Sequence, residues 1–340
     1  MSTNSEQIPP LIFSNRIHSS FDDPPTYLFR LYAPITRGTT NENEVISPAR
    51  DSRDRNRDLF DIQPHHAASI LNAHLRWKCQ DFDDCNLMSW SSSLLFILRF
   101  GLYRALNDFD HPSLEDLRIL IVDTSRFPRG TFIRDMDAIE AFKSYNNELR
   151  EKVHKWRTGD LYFGEYLSQG HLDVRGRCVE TTMEALVGDG LLAALCPRLV
   201  NPSTGDCSLA KAVLEVRKRE SGRVLEADAD DSGVVKAVER AWRCLGVTWC
   251  LPVSVMLLSL RERRLGEGDV TMRLLRENFD DEEAQTFANV QYGRESYMKQ
   301  MPELGQYRSI MLNLLRGARR SSRDSSGSDD LELAMDNLSL

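Results

Sequence analysis

The sequence lacks the short motifs that mark the commonest nucleotide and hydrolase sites. It contains no GxxxxGK followed by Ser or Thr, no GxGxxG after a strand, no HExxH and no GxSxG. Each motif has a mechanical basis, because glycines let the backbone approach phosphate, paired histidines bind zinc, and a strained elbow presents a nucleophilic serine. Nucleotide hydrolysis, Rossmann-type oxidoreduction and elbow-type hydrolysis are therefore without motif support.

The sequence also lacks a long apolar run. Its most apolar segment, around 251–260, is shorter than the roughly 18 uninterrupted apolar residues that a membrane-spanning helix needs. The first residues, MSTNSEQIPPLIF, show no basic stretch followed by an apolar one, so we expect no secretory signal. The sequence therefore predicts a soluble, intracellular protein without a membrane partner, cytoplasmic in the first instance, with a nuclear location left open.

Cysteine pairs and excess positive charge are missing as well. Seven cysteines are an odd number and none stands in a CxxC spacing, so we expect reduced thiols and neither a disulfide framework nor a metal site. Acidic residues outnumber basic ones, 51 to 43, which gives a formal net charge of -8. Because such a chain repels phosphate backbones unless a local basic face intervenes, no nucleic acid partner is expected.

What is present is an ordinary globular composition, 41% apolar and 28% charged, in a chain long enough for a large core. Changes in composition predict one α+β domain followed by helices. The predicted organisation is a flexible arm over 1–24, the α+β domain over 25–200, a loop or linker over 201–233, a helical segment over 234–317 and a disordered tail over 318–340.

Periodicity predicts the strands of the domain. Alternating aromatic and aliphatic residues favour a strand over 27–33, and a short strand over 87–90 leads into a helix capped near Ser92. The apolar run over 117–123 is typical of a buried central strand. Residues 161–172 predict one strand bent at Gly164 or two short strands.

Steps of three and four residues predict the helices. A helix is expected from Pro64, with His74 on its apolar face, and another around Val179 to Val187. Between them, one stripe of apolar residues over five turns predicts a long helix with a buried face: Ala138, Phe142, Tyr145, Leu149, Val153 and Trp156. Residues 36–60 are polar and charged, which indicates a long surface loop.

The two amphipathic stripes over 234–245 and 253–260 predict a helix hairpin. Such a hairpin either packs against the domain or offers a groove to a protein partner. Packing is the commoner use of an apolar stripe and is favoured here.

Three parts of the domain carry side chains that suit one chemistry. Arg30 lies in an apolar strand, Ser89 and Ser91 lie at a strand end, and Glu165 lies in a late strand before a glycine turn. Each also has a plain structural interpretation. Arg30 then forms an ion pair in the strand, the serines cap the following helix, and Glu165 is an ordinary carboxylate.

The order of these residues resembles the arginine, Ser-Thr-Ser and glutamate pattern of the ADP-ribosyltransferase superfamily, in its heat-labile enterotoxin-like branch. The YLFR, HLRW, SWSSSLLF and EYL blocks, over about residues 25–175, are also similar to an uncharacterised domain family of filamentous fungi. The resemblance implies a split mixed sheet with flanking helices. Phe163 stands two residues before Glu165, where such enzymes usually carry a second Glu or Gln.

The resemblance further implies NAD as a co-substrate and a role for each residue. Glu165 would hold the ribose and stabilise positive charge that develops as the nicotinamide bond breaks. Arg30 would bind a phosphate or ribose oxygen through its planar guanidinium. Ser89, with Ser91 as the alternative, would orient the glutamate and the ribose.

Two hypotheses follow. The first is an NAD-dependent ADP-ribosyltransferase-like domain with catalytic residues Arg30, Ser89 and Glu165, in which Arg30, Ser89 and Ser91 bind the cofactor and no metal takes part. The second is a catalytically inactive version of the fold that acts as a protein interaction module through its helical C-terminal segment. The first requires Arg30, Ser89 and Glu165 to meet at one open cleft.

Overall fold

The computed structural model describes residues 9–14, 23–78, 83–159, 162–200, 209–220, 232–261 and 270–317. Nine strands in this part of the chain form two sheets. Their bounds are β1 Tyr27–Tyr32, β2 Thr39–Thr40, β3 Glu44–Ile46, β4 Leu87–Ser91, β5 Arg118–Asp123, β6 Ile133–Arg134, β7 Glu165–Gln169, β8 His171–Asp173 and β9 Cys178–Thr182.

The larger sheet has six strands in the order β6-β7-β4-β1-β5-β9, and the smaller one has the order β2-β3-β8. The α+β class is thus confirmed. All the strand pairings described within both sheets are antiparallel, so the expected mixture of parallel and antiparallel strands is corrected. Strand β1 lies between β4 and β5, and strand β7 lies between β6 and β4. Both neighbours of each strand run in the direction opposite to it.

Strand register divides the side chains of the large sheet between two faces. Phe29 lies opposite Ser91, and Ser91 lies opposite Glu165, so these three share one face. Helices cover this face of the sheet, which is called the helix face below. Because successive residues of a strand alternate, Arg30 and Trp90 point to the other face. This second face packs against Val45 and Leu172 of the small sheet.

Fifteen α-helices surround the sheets in the described part of the chain. Their bounds are α1 Ser52–Arg55, α2 Pro64–Leu75, α3 Leu94–Asn107, α4 Asp135–Phe142, α5 His154–Thr158, α6 Met183–Val187, α7 Leu191–Leu195, α8 Pro197–Val200, α9 Leu209–Glu220, α10 Ser232–Leu245, α11 Val247–Leu258, α12 Val270–Asn278, α13 Asp281–Thr286, α14 Glu295–Met298 and α15 302–317.

Local sequence explains where the helices that frame the site begin. Helix α2 starts with Pro64 at its first position, where the missing N–H costs nothing, and the Gln63 side chain accepts from the His66 N–H at 2.9 Å. Helix α3 is capped by Ser93, whose Oγ accepts from the Phe96 N–H at 3.1 Å. The cap is therefore one residue beyond the predicted Ser92.

The helical C-terminal segment is confirmed, and it shares a core with the sheet. One apolar cluster includes Phe29 of β1, Leu95 of α3, Leu257 of α11 and Ile310 of α15. The predicted hairpin is also confirmed, because α10 and α11 follow one another with only Gly246 between them and both enter this cluster. Helix α11 is buried along its length from Cys250. This agrees with the favoured interpretation of its apolar stripe, which is packing against the rest of the protein.

The predicted long helix over 138–156 is wrong in its continuity. Helix α4 ends at Phe142, a 3-10 turn follows, and residues Leu149–Val153 form a π-helical stretch before α5. A π turn holds an extra residue, so it shifts the phase of the apolar stripe. As a result Trp156, predicted to be in the core, is 47% exposed.

Three other expectations need correction. Val179 lies in strand β9, since the helix predicted to include it begins only at Met183. The predicted loop 36–60 contains strands β2 and β3 and helix α1, and in it β2 pairs with β3, which pairs with β8. Residues 9–14 of the predicted arm pack on the domain, where Phe13 is fully buried. Residues 318–340, predicted as a disordered tail, and most of the predicted arm and linker lie outside the described residues.

Within the residues that the structure covers, no helix combines the length and the apolar character required to cross a membrane.

Candidate functional site

Arg30 is held between the two sheets. Its Nε donates to Thr40 Oγ1 at 3.1 Å and its Nη1 donates to the Ser89 carbonyl oxygen at 2.9 Å. The guanidinium also lies 5.9 Å from the centroid of the Trp90 ring. Burial lowers the pKa of Arg30 to about 10, which leaves the group charged at neutral pH. Arg30 therefore links β1, β2 and β4.

Ser89, Ser91 and Glu165 lie on the opposite, helix face of the sheet. Ser89 Oγ is 2.8 Å from His74 Nε2, and His74 Nδ1 is in turn 3.5 Å from the Cys85 sulfur. Ser91 Oγ donates to the Phe163 carbonyl oxygen at 2.8 Å, which fixes the chain just before β7.

The structure thus brings Ser89, Ser91 and Glu165 to one face and leaves the Arg30 side chain on the other. Arg30 reaches Ser89 only through the backbone carbonyl. The side chains of Arg30, Ser89 and Glu165 do not meet in one cleft.

Glu165 instead belongs to a buried charged group, here called the Arg157 cluster, formed by Asp135, Arg157 and Glu165. Arg157 Nη2 donates to Glu165 Oε2 at 2.7 Å, and Arg157 Nε lies 3.6 Å from Asp135 Oδ2. Glu165 is only 1% exposed. Arg157 therefore fixes this carboxylate, whereas the resemblance implied that Ser89 or Ser91 would orient it.

Two carboxyl groups compete for this one guanidinium. Burial is the main cause that raises the pKa of Asp135, to about 7, and the negative charge of Glu165 raises it further. Arg157 acts in the opposite direction, as does the hydrogen bond from the Met136 N–H to Asp135 Oδ1 at 2.7 Å. Asp135 therefore holds its proton more tightly than an ordinary aspartic acid.

An open cleft of about 360 Å³ lies beside the Arg157 cluster. Its walls come from the end of α2, from α3, α5 and α9, and from the residue at which the chain enters β7. The lining residues are Leu75, Arg76, Trp77, Phe96, Tyr103, Trp156, Arg157, Phe163, Leu209, Ala210, Val213 and Arg217. Among these residues the charged ones are all arginines, and each is paired with a carboxylate that does not line the cleft: Arg76 with Glu148, Arg157 with Glu165 and Arg217 with Glu303.

Stacked rings run along the cleft. Phe96 stacks on Phe163 with centroids 4.0 Å apart and on Phe100 at 5.8 Å, and Phe100 stacks on Trp77 at 5.2 Å. The spacing of Phe96 and Phe100 on α3 places both rings on one side of that helix. The Arg157 guanidinium covers the other side of Phe163, with its Cζ 4.0 Å from the ring centroid. Trp77 and Trp156 remain about half exposed at the rim.

Trp77 occupies a backbone position that normally favours glycine. Helix α2 ends in a Schellman arrangement, in which the Lys78 N–H donates to the Ala73 carbonyl at 2.8 Å and the Trp77 N–H donates to that of His74 at 3.0 Å. The residue between cap and loop then adopts a left-handed conformation, and Trp77 does so with φ of 58°. A bulky residue in this region is a true outlier, and such strain concentrates at binding sites.

Replacing Trp77 with glycine is expected to change the free energy of unfolding by less than about 1 kcal/mol, because relief of about 1–2 kcal/mol of left-handed strain offsets about 0.5–1.5 kcal/mol of lost stacking. Trp77→Ala loses the ring but keeps the strain, so it should be the less stable variant. Urea denaturation measures the free energy of unfolding of both variants. A loss above 2 kcal/mol for Trp77→Gly would instead make Trp77 a core anchor.

A second buried charged group also borders the cleft. Arg217 of α9 donates through Nη1 to the Tyr162 carbonyl oxygen and through Nη2 to Glu303 Oε1 at 2.7 Å. Ser93 Oγ donates to the same Glu303 oxygen at 2.6 Å. This Arg217 cluster, defined by Ser93, Arg217 and Glu303, ties the start of α3 to α9 and α15.

Sequence reasoning missed the arginines and tryptophans of the cleft. Arg217 fell within the predicted linker, and Trp156 had been assigned to the core. The signals for them in the sequence are two aromatic and basic blocks, HLRW at 74–77 and HKWR at 154–157. Neither block reveals from sequence that its members face each other.

Within the described ranges, no group of three or more His, Cys, Asp or Glu side chains is arranged to bind a metal ion.

Comparison with known proteins finds a family that is similar to part of this chain. Residues 23–176 match a family described as a domain of unknown function (DUF7587). The match includes strands β1 to β8 and ends before β9 and helix α9, which supplies one wall of the cleft. Searches of curated proteins and of solved structures find no match. Residues 23–176 of this chain are thus similar to a domain of unknown function, DUF7587.

Proposed function

We propose that this protein binds a flat, anionic ligand of the nucleotide class in the aromatic cleft, and that NAD is the first such ligand to test. The observation that carries the proposal is the composition of the cleft wall. Rings that already stack on one another lie beside arginines, and no acidic side chain is among the lining residues.

The rings suit a flat, unsaturated group. A nucleobase or a nicotinamide ring stacks on aromatic side chains, and such stacking contributes about 1–3 kcal/mol per base in single-stranded nucleic acid complexes. Trp77 and Trp156 each expose about half of their surface at the rim of the cleft. They are therefore accessible to a ligand, which the buried Phe96 is not.

The size of the cleft limits the ligand. Small-molecule sites commonly have volumes of about 300–1,000 Å³. At about 360 Å³ the cleft matches one mononucleotide half of NAD, with the other half extending along its open side.

ADP-ribosyl transfer from NAD is a second candidate function, and one observation favours it. Arg157 both lines the cleft and binds Glu165, so the carboxylate named by the sequence lies one side chain from the proposed ligand. A carboxylate near the nicotinamide ribose stabilises the charge that develops there. In this proposal Glu165 acts with Arg157 rather than with Arg30.

The test is a titration of the full-length protein with NAD. Binding is measured from the change in tryptophan fluorescence and from the shift in the thermal midpoint of unfolding. Ligand that binds only the folded state stabilises it by about 2.7 kcal/mol at a hundredfold excess over Kd. Trp156→Ala is expected to weaken binding at least about tenfold, as loss of one stacked ring should. Nicotinamide release during the titration reports cleavage of the nicotinamide–ribose bond, with water accepting the ADP-ribosyl group when no other nucleophile is supplied, and Glu165→Gln should abolish that release.

Trp242→Ala is the matched control, because Trp242 is 45% exposed on α10 and Trp156 is 47% exposed at the cleft. Equal loss of binding in both variants would contradict the proposed site. Absence of any response to NAD or other nucleotides would favour the alternative function, a protein interaction module that uses the helical C-terminal segment. Val235, Trp242 and Val247 are the exposed apolar residues of α10 and α11 that such a partner would contact.

A further inference from the structure

Ser89 and His74 form a hydrogen-bonded pair that the proposed function does not use. Ser89 Oγ lies 2.8 Å from His74 Nε2, and His74 Nδ1 lies 3.5 Å from the sulfur of Cys85. Strand β4 carries the serine, the last turn of helix α2 carries the histidine, and Cys85 lies two residues before β4. A hydroxyl, an imidazole and a thiol therefore follow one another in a chain of contacts.

Solvent reaches this pair although β4 is an interior strand of the large sheet, with β7 on one side and β1 on the other. Ser89 is the only residue of β4 that is not buried. Within residues 70–75 of α2, His74 is likewise the only residue that is not buried. Cys85, in contrast, has no exposed surface. Of the two nucleophilic side chains beside His74, Ser89 is thus the one that is open to solvent.

This arrangement meets the physical requirements of an activated serine. A hydroxyl is a weak nucleophile until a base within hydrogen-bond distance takes its proton, and a third group commonly orients that base. In the tautomer with its proton on Nδ1, the His74 imidazole donates to the Cys85 sulfur, and Nε2 then accepts from the Ser89 hydroxyl. A neutral thiol does not stabilise an imidazolium as the carboxylate of a Ser-His-Asp triad does. The pair therefore suits esters, which have better leaving groups than amides.

We infer that Ser89 is a nucleophile for acyl transfer from a carboxylic ester, with His74 as its general base and Cys85 as a positioning residue. This inference goes beyond the proposed function, because it uses neither the rings nor the arginines of the cleft. Ser89 lies within a regular strand and not in a strained elbow, so the absence of a GxSxG motif does not argue against it.

The reaction has two steps. In the first, Ser89 Oγ attacks the carbonyl carbon of the ester and its proton passes to His74 Nε2. The bond to the alcohol oxygen then breaks, and the alcohol leaves with the proton from Nε2. In the second step, water attacks the acyl-serine with His74 as base, the acid leaves, and the Ser89 hydroxyl is restored. The net reaction converts ester and water into acid and alcohol.

The experiment treats the full-length protein with an alkyl fluorophosphonate, with which an activated serine reacts as its oxygen displaces fluoride from phosphorus. Peptide mass spectrometry identifies the labelled residue, and we expect one label per chain, on Ser89. His74→Gln should slow labelling at least about 100-fold, the usual contribution of a general base. Cys85→Ala should slow it by up to about tenfold, as loss of one hydrogen bond should, and Cys85→Ser should restore the rate.

Hydrolysis of p-nitrophenyl butyrate tests the ester reaction itself and should be lost in Ser89→Ala. Ser69→Ala is the matched control. Ser69 is also a partly exposed serine, but its Oγ donates to a backbone oxygen, that of His65, at 2.9 Å. Its replacement should leave both ester hydrolysis and the labelling of Ser89 unchanged.

Three results would overturn the proposal: no label on Ser89 in the folded wild type, a label spread over exposed serines, or an unchanged rate in folded His74→Gln. The first two need no variant, so the test stands even if His74→Gln does not fold. Labelling of Ser89 without any binding of NAD would support the nucleophile and contradict the nucleotide site. Binding of NAD without labelling of Ser89 would do the reverse.

Discussion

Replacing Glu165 with methionine is expected to lower the free energy of unfolding by about 3–5 kcal/mol, the usual cost of removing one partner of a buried ion pair. Glu165 is 1% exposed, and its Oε2 accepts from Arg157 Nη2 at 2.7 Å. The variant leaves Arg157 buried with only Asp135 nearby, at 3.6 Å, and Asp135 has a raised pKa. Urea denaturation at pH 7 measures the loss.

The cost is expected to come from the stranded guanidinium rather than from lost packing. The double variant Arg157→Met with Glu165→Met removes both charges, so it should recover most of the stability lost in the single variant. Glu151→Met is the exposed control, because Glu151 pairs with Lys155 at 3.1 Å with half of its side chain in solvent. That change should cost less than about 1 kcal/mol. Equal losses in the buried and exposed variants would contradict the ion-pair explanation.

Asp135→Asn is expected to make the protein less sensitive to rising pH. Burial raises the pKa of Asp135 to about 7, whereas an unfolded aspartic acid titrates near 3.9. Between these values the folded state binds more protons at this position than the unfolded state. The free energy of unfolding of the wild type therefore falls as pH rises through this window, by at most about 1.4 kcal/mol per pH unit from this group.

Asparagine does not titrate, and its side-chain oxygen still accepts from the Met136 N–H. The stability difference should therefore shift in favour of the variant between pH 4 and pH 7 and then level off. Denaturation at a series of pH values, with the exposed Asp281→Asn as control, measures this difference. A constant difference across the window would show that Asp135 is ionised throughout.

Both predictions concern a cluster that local sequence did not reveal. Glu165 was singled out from its place before a glycine turn, and a strand was predicted there over 161–172, where the structure has β7 over Glu165–Gln169 and β8 over His171–Asp173. Its partner Arg157 was not, because the π turn at Leu149–Val153 moves HKWR out of the phase that the apolar stripe suggests. A pattern of residue types does not show such a phase shift.

The position of Arg30 depends on the same distinction. Apolar alternation in YLFRLYA predicts the strand, and alternation also requires Arg30 and Phe29 to point to opposite faces. Which face holds Glu165 depends on the pairing of β1 with β4 and of β4 with β7. Pairing between strands distant in sequence is a tertiary property, so the sequence grouped three residues that the sheet separates.

By itself, the sequence determined the α+β class, the strands β1, β4, β5 and β7, helices α2 and α3, and the α10 and α11 hairpin. These elements follow from periodicity, caps and turns, which act within a few residues of one another. Only the tertiary structure decided that Trp77, Trp156, Arg157 and Arg217 surround one cleft. These residues come from three separate parts of the chain, and they meet because the apolar faces of α2, α3 and α9 must be buried together with the sheet.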